Sequence, residues 1–147
     1  MELITYKKAT LKYHPLETMN AGLELTGGEV KSVRNKLGSL EGSRVVVRGG
    51  EAFITGMTIP PYQVANTPKG YDPERPRRLL VTKQELLELA AAESKKGLTI
   101  VPFSLYNYRG LIKARIAIVR GKGKEDRRED LKKREAERES ARLLKNR

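Results

Sequence analysis

The chain has 147 residues with one histidine and no cysteine, and its 30 lysines and arginines outnumber 18 acidic residues for a formal net charge of +12. This composition excludes thiolate catalysis, disulfides and a Cys/His zinc site, and it favours a polyanionic partner. No apolar run reaches the ~20 residues of a membrane span. We therefore expect a cytoplasmic protein without membrane contact, long enough for one core and an appendage.

The N-terminal segment, residues 1–12, is short and basic and places tyrosines beside lysines. Such interleaving suits contact with phosphates and stacking on bases, so Lys12 and Tyr13 are candidate RNA contacts. A frayed arm without a function is an equally good interpretation. His14 has no Ser, Cys or Asp partner at a recognisable spacing, and with the following proline it is typical of a turn.

Residues 21–34 predict a half-buried strand that leads directly into a capped helix. Thr26 and Glu29 have the i, i+3 spacing of a capping box. Gly27 and Gly28 leave the first turn without side chains, where backbone N–H groups attract anions. Most capping boxes only start surface helices, which is the alternative here. The candidate RNA contacts in this stretch are Gly27, Gly28, Glu29, Lys31 and Arg34.

Two hairpins and a second capped helix are predicted in the rest of the body. The first hairpin joins residues 43–48 to residues 51–59 through Gly49 and Gly50. A brief strand at 79–81 precedes a helix that starts at a second capping box and places Lys95 and Lys96 in its last turn, with Gly97 at C′. The second hairpin joins residues 98–108 to residues 111–119, where Ile112, Ala114, Ile116 and Ile118 share one face.

The segment 62–78 lacks periodicity and is rich in proline, so it is predicted to be a long loop. Long loops inside a small domain are usually functional or mobile. This loop ends in Arg75, Arg77 and Arg78, of which the first two share one side of an extended chain. We therefore interpret its end as a phosphate-binding edge, with a merely solvated loop as the alternative.

The composition changes at Arg120, so the domain boundaries are 1–119 for the body and 120–147 for a basic tail. The tail has 12 basic and 7 acidic residues and too few apolar ones to pack on the body. Its helix propensity is high. We expect it to be disordered or a fraying helix alone, and helical when a partner supplies counter-charge. No catalytic constellation, cofactor motif or metal-ligand spacing is recognisable along the chain, so we do not expect an enzyme.

Taken together and in order, these motifs resemble the SsrA-binding proteins of bacteria, the small protein B family that binds transfer-messenger RNA (tmRNA). The resemblance covers nearly the whole chain from about Tyr13 onwards. The matching residues are Ala21-Gly22, Leu25, Gly27, Glu29-Val30-Lys31-Ser32, Pro61-Tyr62, Pro73, Arg75, Arg77-Arg78-Leu79-Leu80, Lys96-Gly97, Thr99, Pro102, Leu105-Tyr106, Gly121-Lys122, Asp126 and Arg128.

The resemblance implies a mainly β fold, namely a closed β-barrel of the oligonucleotide-binding (OB) type with two to three accessory helices. It implies a monomeric, non-enzymatic adaptor that binds the tRNA-like domain of tmRNA. The protein and tmRNA then enter stalled ribosomes together with elongation factor Tu, which binds the aminoacylated tmRNA and contacts the protein only indirectly. The tail then lies as a helix in the empty mRNA channel, beside small-subunit rRNA. The tail positions given this role are Gly121, Lys122, Lys124, Asp126, Arg127, Arg128, Lys132, Lys133 and Arg134.

Two other functions agree with the charge of the chain. A structural ribosomal protein or a general RNA-binding module is also basic, with a basic extension. An RNA-processing enzyme is disfavoured, because no apolar-walled carboxylate pair and no partnered histidine is recognisable in the sequence. The RNA that co-purifies with the protein distinguishes these functions.

Overall fold

A computed structural model describes residues 2–63, 65, 67–121 and 138, and one antiparallel sheet of seven strands organises them. The strands are β1 Glu2–Thr5, β2 Tyr13–Leu23, β3 Arg44–Arg48, β4 Glu51–Thr55, β5 Arg77–Leu80, β6 Leu98–Tyr108 and β7 Leu111–Gly121. The helices are α1 Ala9–Lys12, α2 Gly27–Arg34 and α3 Lys83–Ser94. The strand order in the sheet is β1-β6-β7-β2-β5-β4-β3.

The sheet curls strongly but stays open. A bulge at Leu16 bends β2 and another at Phe103 bends β6, and β3 contacts β6 across the core. Among the described residues, β1 and β3 remain the ends of the strand order. The mainly β architecture with helices is confirmed, the closed barrel is wrong, and the OB assignment stays a prediction.

Apolar side chains form one large core inside the curl and one small cluster outside it. Leu79, Leu89 and Ile116 are among the fully buried members of the core. The predicted inward face of β7 is confirmed. The end of β7 is buried on its other face as well, because Tyr13 and Phe103 cover a cluster of Val101, Ala117 and Val119 there.

The N-terminal segment is part of the sheet, so the interpretation of this segment as a frayed arm is wrong. β1 pairs with β6, and the Tyr6 side chain is only 4% exposed, so its ring is not available for stacking on bases. His14 lies within β2, where it pairs with Arg120, so the predicted turn at that position is also wrong.

Local signals located both hairpin turns and the starts of α2 and α3 correctly, but they gave no sign of the short helix α1. Gly49 and Gly50, and likewise Arg109 and Gly110, have positive φ at both central positions, as the two-residue turns of hairpins require. Both predicted capping boxes are present, at Thr26 and Thr82. Boundaries were less accurate. β4 ends at residue 55 rather than 59, β5 begins at 77, and α3 ends before Lys95 and Lys96, so these lysines lie after the helix.

β7 continues two residues beyond the predicted end of the body. Arg120 and Gly121 pair with the first residues of β2, and Gly121, assigned above to the tail, therefore belongs to the sheet. The other tail positions, Lys122, Lys124, Asp126, Arg127, Arg128, Lys132, Lys133 and Arg134, lie outside the described residues. Within the described part of the chain, no helix is long and apolar enough to cross a membrane.

The edge strand β3 is partly covered by α3. The Glu93 carboxylate accepts a hydrogen bond from the backbone N–H of Val47 at 2.6 Å and also pairs with Arg48. Burial raises the pKa of Glu93, but the hydrogen bond from Arg48 and that from Val47 outweigh it, so the pKa is lowered. The carboxylate therefore stays charged at neutral pH and occupies a donor that an edge strand normally leaves free.

Candidate RNA-binding site

The start of α2 is built around the carboxylate of Glu29, which is only 1% exposed. Its Oε1 accepts the backbone N–H of Thr26 at 2.9 Å and closes the capping box. The same oxygen pairs with Arg75, while Oε2 accepts the Nε–H of Arg77 at 2.8 Å and the Tyr71 hydroxyl at 3.2 Å. One buried carboxylate thus joins the helix start to the loop before β5 and to β5 itself.

Arg77 is the buried cation of this arrangement, with a fully enclosed side chain. Besides its bond to Glu29, it donates from Nη1 to the Met57 carbonyl at 2.9 Å and from Nη2 to the Tyr71 hydroxyl at 3.1 Å. A buried charge is tolerated when it is paired and its donors are satisfied, and both conditions hold here.

Burial acts against ionisation of Glu29, and the arginines reverse that effect. Desolvation raises the pKa of the carboxyl, but the hydrogen bonds from Arg75, from the Thr26 N–H and from Arg77, with the charge of Arg77, lower it to about 2. Burial and the adjacent Glu29 charge raise the pKa of the Tyr71 hydroxyl. At neutral pH Glu29 is therefore an anion, and Tyr71 keeps its proton.

These contacts divide the predicted RNA contacts into a buried and an exposed group. Glu29 and Arg77 are enclosed, so they support the site and offer no surface to an RNA. Arg75 is partly exposed but is engaged with Glu29. Arg75 and Arg77 do reach the same side, as the loop pattern predicted, because both bind one carboxylate.

The exposed group lies at the first turn of α2, beside an open cleft of about 380 Å³. The cleft is lined by Gly27, Gly28 and Lys31 of α2 and by residues of the loop before β5 that include Tyr62 and Pro68. A Cβ atom added at either glycine would meet no atom within 4 Å. The helix start therefore lets a bulky ligand approach the backbone closely, with Lys31 beside it.

A second groove, of about 280 Å³, lies between α2 and the β6–β7 turn. Val30 contributes to its lining, and the exposed side chains of Leu80 and Leu111 stand at its margins. At the end of α2, Arg34 donates from Nη2 to the Gly110 carbonyl at 2.7 Å and so ties the helix to the β6–β7 turn. The exposure of both leucines was not predicted from the sequence. The alternation of apolar and polar residues assigns apolar side chains to the core and gives no signal for an exposed one.

The remaining predicted contacts lie apart from α2. Arg78 points outwards from β5 between Glu24 and Glu51, each at 3.4 Å. Tyr13 is the first residue of the 11-residue strand β2, and Lys12 directly precedes it. The other end of β2 leads to α2. Both residues are therefore about 30 Å from the helix start along the strand. Lys12 lies over the Tyr6 ring, with Nζ 5.9 Å from its centroid.

The described residues contain no group of three or more His, Asp or Glu side chains placed to hold a metal ion. A curled antiparallel sheet with exposed cations around an open helix start is typical of a nucleic-acid-binding module.

Comparisons with known proteins agree with this class and narrow it. The family model described as SmpB protein matches residues 3–146. The SsrA-binding protein of Thermosipho africanus (strain TCF52B) is 44% identical over 144 residues, which cover 97% of this chain and 96% of that protein. The SsrA-binding protein of Chelativorans sp. (strain BNC1) is 44% identical over 142 residues, covering 96% and 91%.

A solved structure described as "tmRNA-SmpB: a journey to the center of the bacterial ribosome" contains a chain that is 35% identical. The two chains superpose with a TM-score of 0.69 over 89% of this chain and 95% of that one. This chain belongs to the SmpB family, and the resemblance seen in the sequence is confirmed.

Proposed function

We propose that this protein binds the tRNA-like domain of tmRNA and carries it to stalled ribosomes, where the nascent chain is tagged and the ribosome is released. The observation that carries the proposal is the match of nearly the full chain to SsrA-binding proteins. The open helix start beside Lys31 supports it, since a bare first turn and a cation both suit a phosphate backbone.

The buried ion pair of Glu29 and Arg77 supports the proposal because it fixes the surface above it. Because Glu29 and Arg77 join α2 to the loop and to β5, the exposed groups around the helix start are held in fixed relative positions. A surface fixed before binding loses little conformational freedom when RNA binds. The proposed contacts on this surface are Gly27, Gly28, Lys31 and Arg34, with Arg75 and Arg78 at its margin and Lys12 and Tyr13 on a separate part of the sheet.

The remaining parts of the proposal concern the tail and the partners. The proposed ribosome contacts are those named above, namely Gly121 at the end of β7 and the remaining positions within residues 122–147. We expect this segment to become helical in the mRNA channel, beside small-subunit rRNA. The protein works as a cytoplasmic monomer, by binding rather than by catalysis, and elongation factor Tu is met through aminoacylated tmRNA. A structural ribosomal protein is less favoured, because the relatives are SsrA-binding proteins.

Capture of the protein from its own cells, followed by sequencing of the bound RNA, tests the proposal. We expect tmRNA to be strongly enriched when the captured protein is washed at moderate salt, and we expect the protein to leave ribosomal subunits in a high-salt wash. Recovery of ribosomal RNA alone, or stable retention on washed subunits, would favour the structural alternative instead. In a gel shift with the tRNA-like domain, Lys31→Glu should weaken binding. The matched charge reversal Lys95→Glu, at the exposed end of α3, should not.

A further inference from the structure

The outer face of the β6–β7 hairpin carries a group of aromatic and basic side chains that no predicted site includes. Tyr106 pairs with Lys113 and Tyr108 with Leu111 across the two strands, so these four side chains share one face. Arg115, two residues beyond Lys113, lies on the same face. We call these five residues the hairpin face.

Cations of the hairpin lie over the tyrosine rings. Lys113 Nζ is 5.0 Å from the centroid of the Tyr108 ring, and Cζ of the turn residue Arg109 is 5.3 Å from it. Arg115 Cζ is 5.9 Å from the centroid of the Tyr106 ring. Each ring therefore has at least one positive charge close to it, and aromatic rings combined with basic side chains are typical of surfaces that bind single-stranded nucleic acid.

The tip of the hairpin face is open to solvent. Tyr108 is 47% exposed and Leu111 is 63% exposed. Further along the same strands, Tyr13 and Phe103 cover this side of the sheet, so the exposure is confined to the hairpin end. The turn is held in place, because Arg34 of α2 donates to the Gly110 carbonyl.

The charge of the hairpin face selects the kind of partner. Lys113 and Arg115 of the hairpin face and Arg109 of the adjacent turn contribute three positive charges, and Glu2 lies 3.8 Å from Arg115. An apolar peptide would leave the lysine and Arg109 without counter-charge. A phosphate backbone supplies that charge, and nucleic acid bases supply flat surfaces for the rings.

We propose that the hairpin face binds unpaired RNA bases, with a base stacked on Tyr108, a second contact at Tyr106, and the flanking phosphates paired with Lys113 and Arg109. The proposal rests on the proposed function in that its ligand is RNA, but it uses a surface separate from the first turn of α2. A base stacked on an aromatic ring is held more strongly than an exposed cation is. A base therefore displaces a cation from the ring, and the displaced cation remains close enough to meet the phosphate.

The test compares Tyr108→Ala with Tyr108→Phe in the full chain. The probes are a ten-nucleotide single-stranded oligoadenylate, a blunt RNA duplex of ten base pairs, and the transcribed tRNA-like domain of tmRNA. We expect Tyr108→Ala to weaken binding of the single strand about tenfold. Duplex binding should stay within about twofold, because paired bases are not free to stack on the ring. Tyr108→Phe keeps the ring and should bind like the parent protein.

Leu87→Ala on α3 is the matched control, since Leu87 is also largely exposed and lies on another element. Melting temperatures of all variants show whether the fold is intact. Equal binding of the single strand by the parent protein and Tyr108→Ala would overturn the proposal, as would an equal loss for the duplex. If Tyr108→Ala binds every RNA normally but loses a ribosomal protein partner, the hairpin face is a protein-docking surface and the RNA proposal is wrong.

The two proposals fail differently in this experiment. If the parent protein does not bind the tRNA-like domain, the proposed function fails, whatever the oligoadenylate shows. If Lys31→Glu weakens binding of that domain while Tyr108→Ala changes no probe, the proposed function stands and the hairpin face has no part in RNA binding.

Discussion

Glu29 and Arg77 are 48 residues apart in the sequence, yet Arg77 Nε donates to Glu29 Oε2 at 2.8 Å with both side chains buried. The pair connects the first turn of α2 to β5, and through Arg75 and Tyr71 it also holds the loop that precedes β5. The surface proposed to bind RNA is therefore held in place by an ion pair that is itself buried and not available to RNA.

Removing the charge of Glu29 should destabilise the protein severely. In Glu29→Gln the buried Arg77 loses its counter-ion, which costs about 3–5 kcal/mol. Urea unfolding measures the change. The matched control is Glu85→Gln, because Glu85 closes the same kind of capping box in α3 at an exposed position. It should cost only about 0.3–1 kcal/mol, because glutamine can still close the capping box and only the negative charge at the helix N-terminus is lost. Similar small losses for both variants would contradict a stabilising role for the buried pair.

The stability contributed by Glu29 should be lost in acid. Its pKa is lowered from 4.5 to about 2 on folding, so the contribution is fully present above pH 4.5 and is lost as the pH falls towards 2. The difference is worth about 3 kcal/mol. Unfolding free energies of the parent protein and Glu29→Gln, measured between pH 7 and pH 2.5, should converge as the pH falls. If the difference between the two unfolding free energies stays constant across this range, folding does not lower the pKa of Glu29 and the prediction is wrong.

RNA binding should weaken steeply with salt. Each neutralised phosphate contributes roughly −0.7 to −0.9 to the slope of log K against log salt. Lys31→Gln should therefore reduce the magnitude of the slope by about one contact, and Lys95→Gln should leave it unchanged. Arg77 contributes nothing to the slope, because its side chain is enclosed. An affinity that is independent of salt would contradict electrostatic binding altogether.

A bulky side chain at the first turn of α2 should weaken RNA binding without unfolding the protein. Gly28→Leu places its Cβ in open space, so the melting temperature should change little while the affinity for the tRNA-like domain falls. Gly38→Leu is the contrasting variant. Its Cβ would lie 2.9 Å from the Thr58 carbonyl oxygen at φ +132, so the fold itself should suffer. Normal RNA binding by Gly28→Leu would mean that α2 is only a capped surface helix.

A chain that stops after Gly121 should fold and keep most tmRNA binding, but it should not support nascent-chain tagging. All seven strands and the proposed contacts around α2 remain in it. Stopping after Val119 also removes two residues that pair with β2, so that shorter chain should melt at a lower temperature. Proline in place of Leu131 should reproduce the loss of tagging, since proline costs a helix roughly 3 kcal/mol. Normal tagging by either variant would remove the proposed role of the tail.

What the sequence predicted correctly was local. The capping boxes at Thr26 and Thr82 depend on residues three apart, and the glycine turn at residues 49–50 depends on backbone freedom at two positions. The burial of Arg77 could not be predicted, because it requires Glu29, Tyr71 and the Met57 carbonyl to meet from separate segments. An arginine in an extended segment is usually exposed, and Arg75, Arg77 and Arg78 were therefore interpreted as phosphate contacts. The sequence pattern is the same when one of them is buried in an ion pair.

Since the sheet stays open, β3 keeps an unpaired edge that another chain could use as a template for strand addition. α3 limits this hazard. The Glu93 carboxylate engages the outward N–H of Val47, and Arg48 is pinned beside it, so an incoming strand finds a charged side chain where it needs a backbone donor. We therefore expect the resistance of this protein to self-association to depend in part on Glu93, which is not one of the proposed RNA contacts. Its loss should appear as self-association of folded molecules rather than as weaker RNA binding.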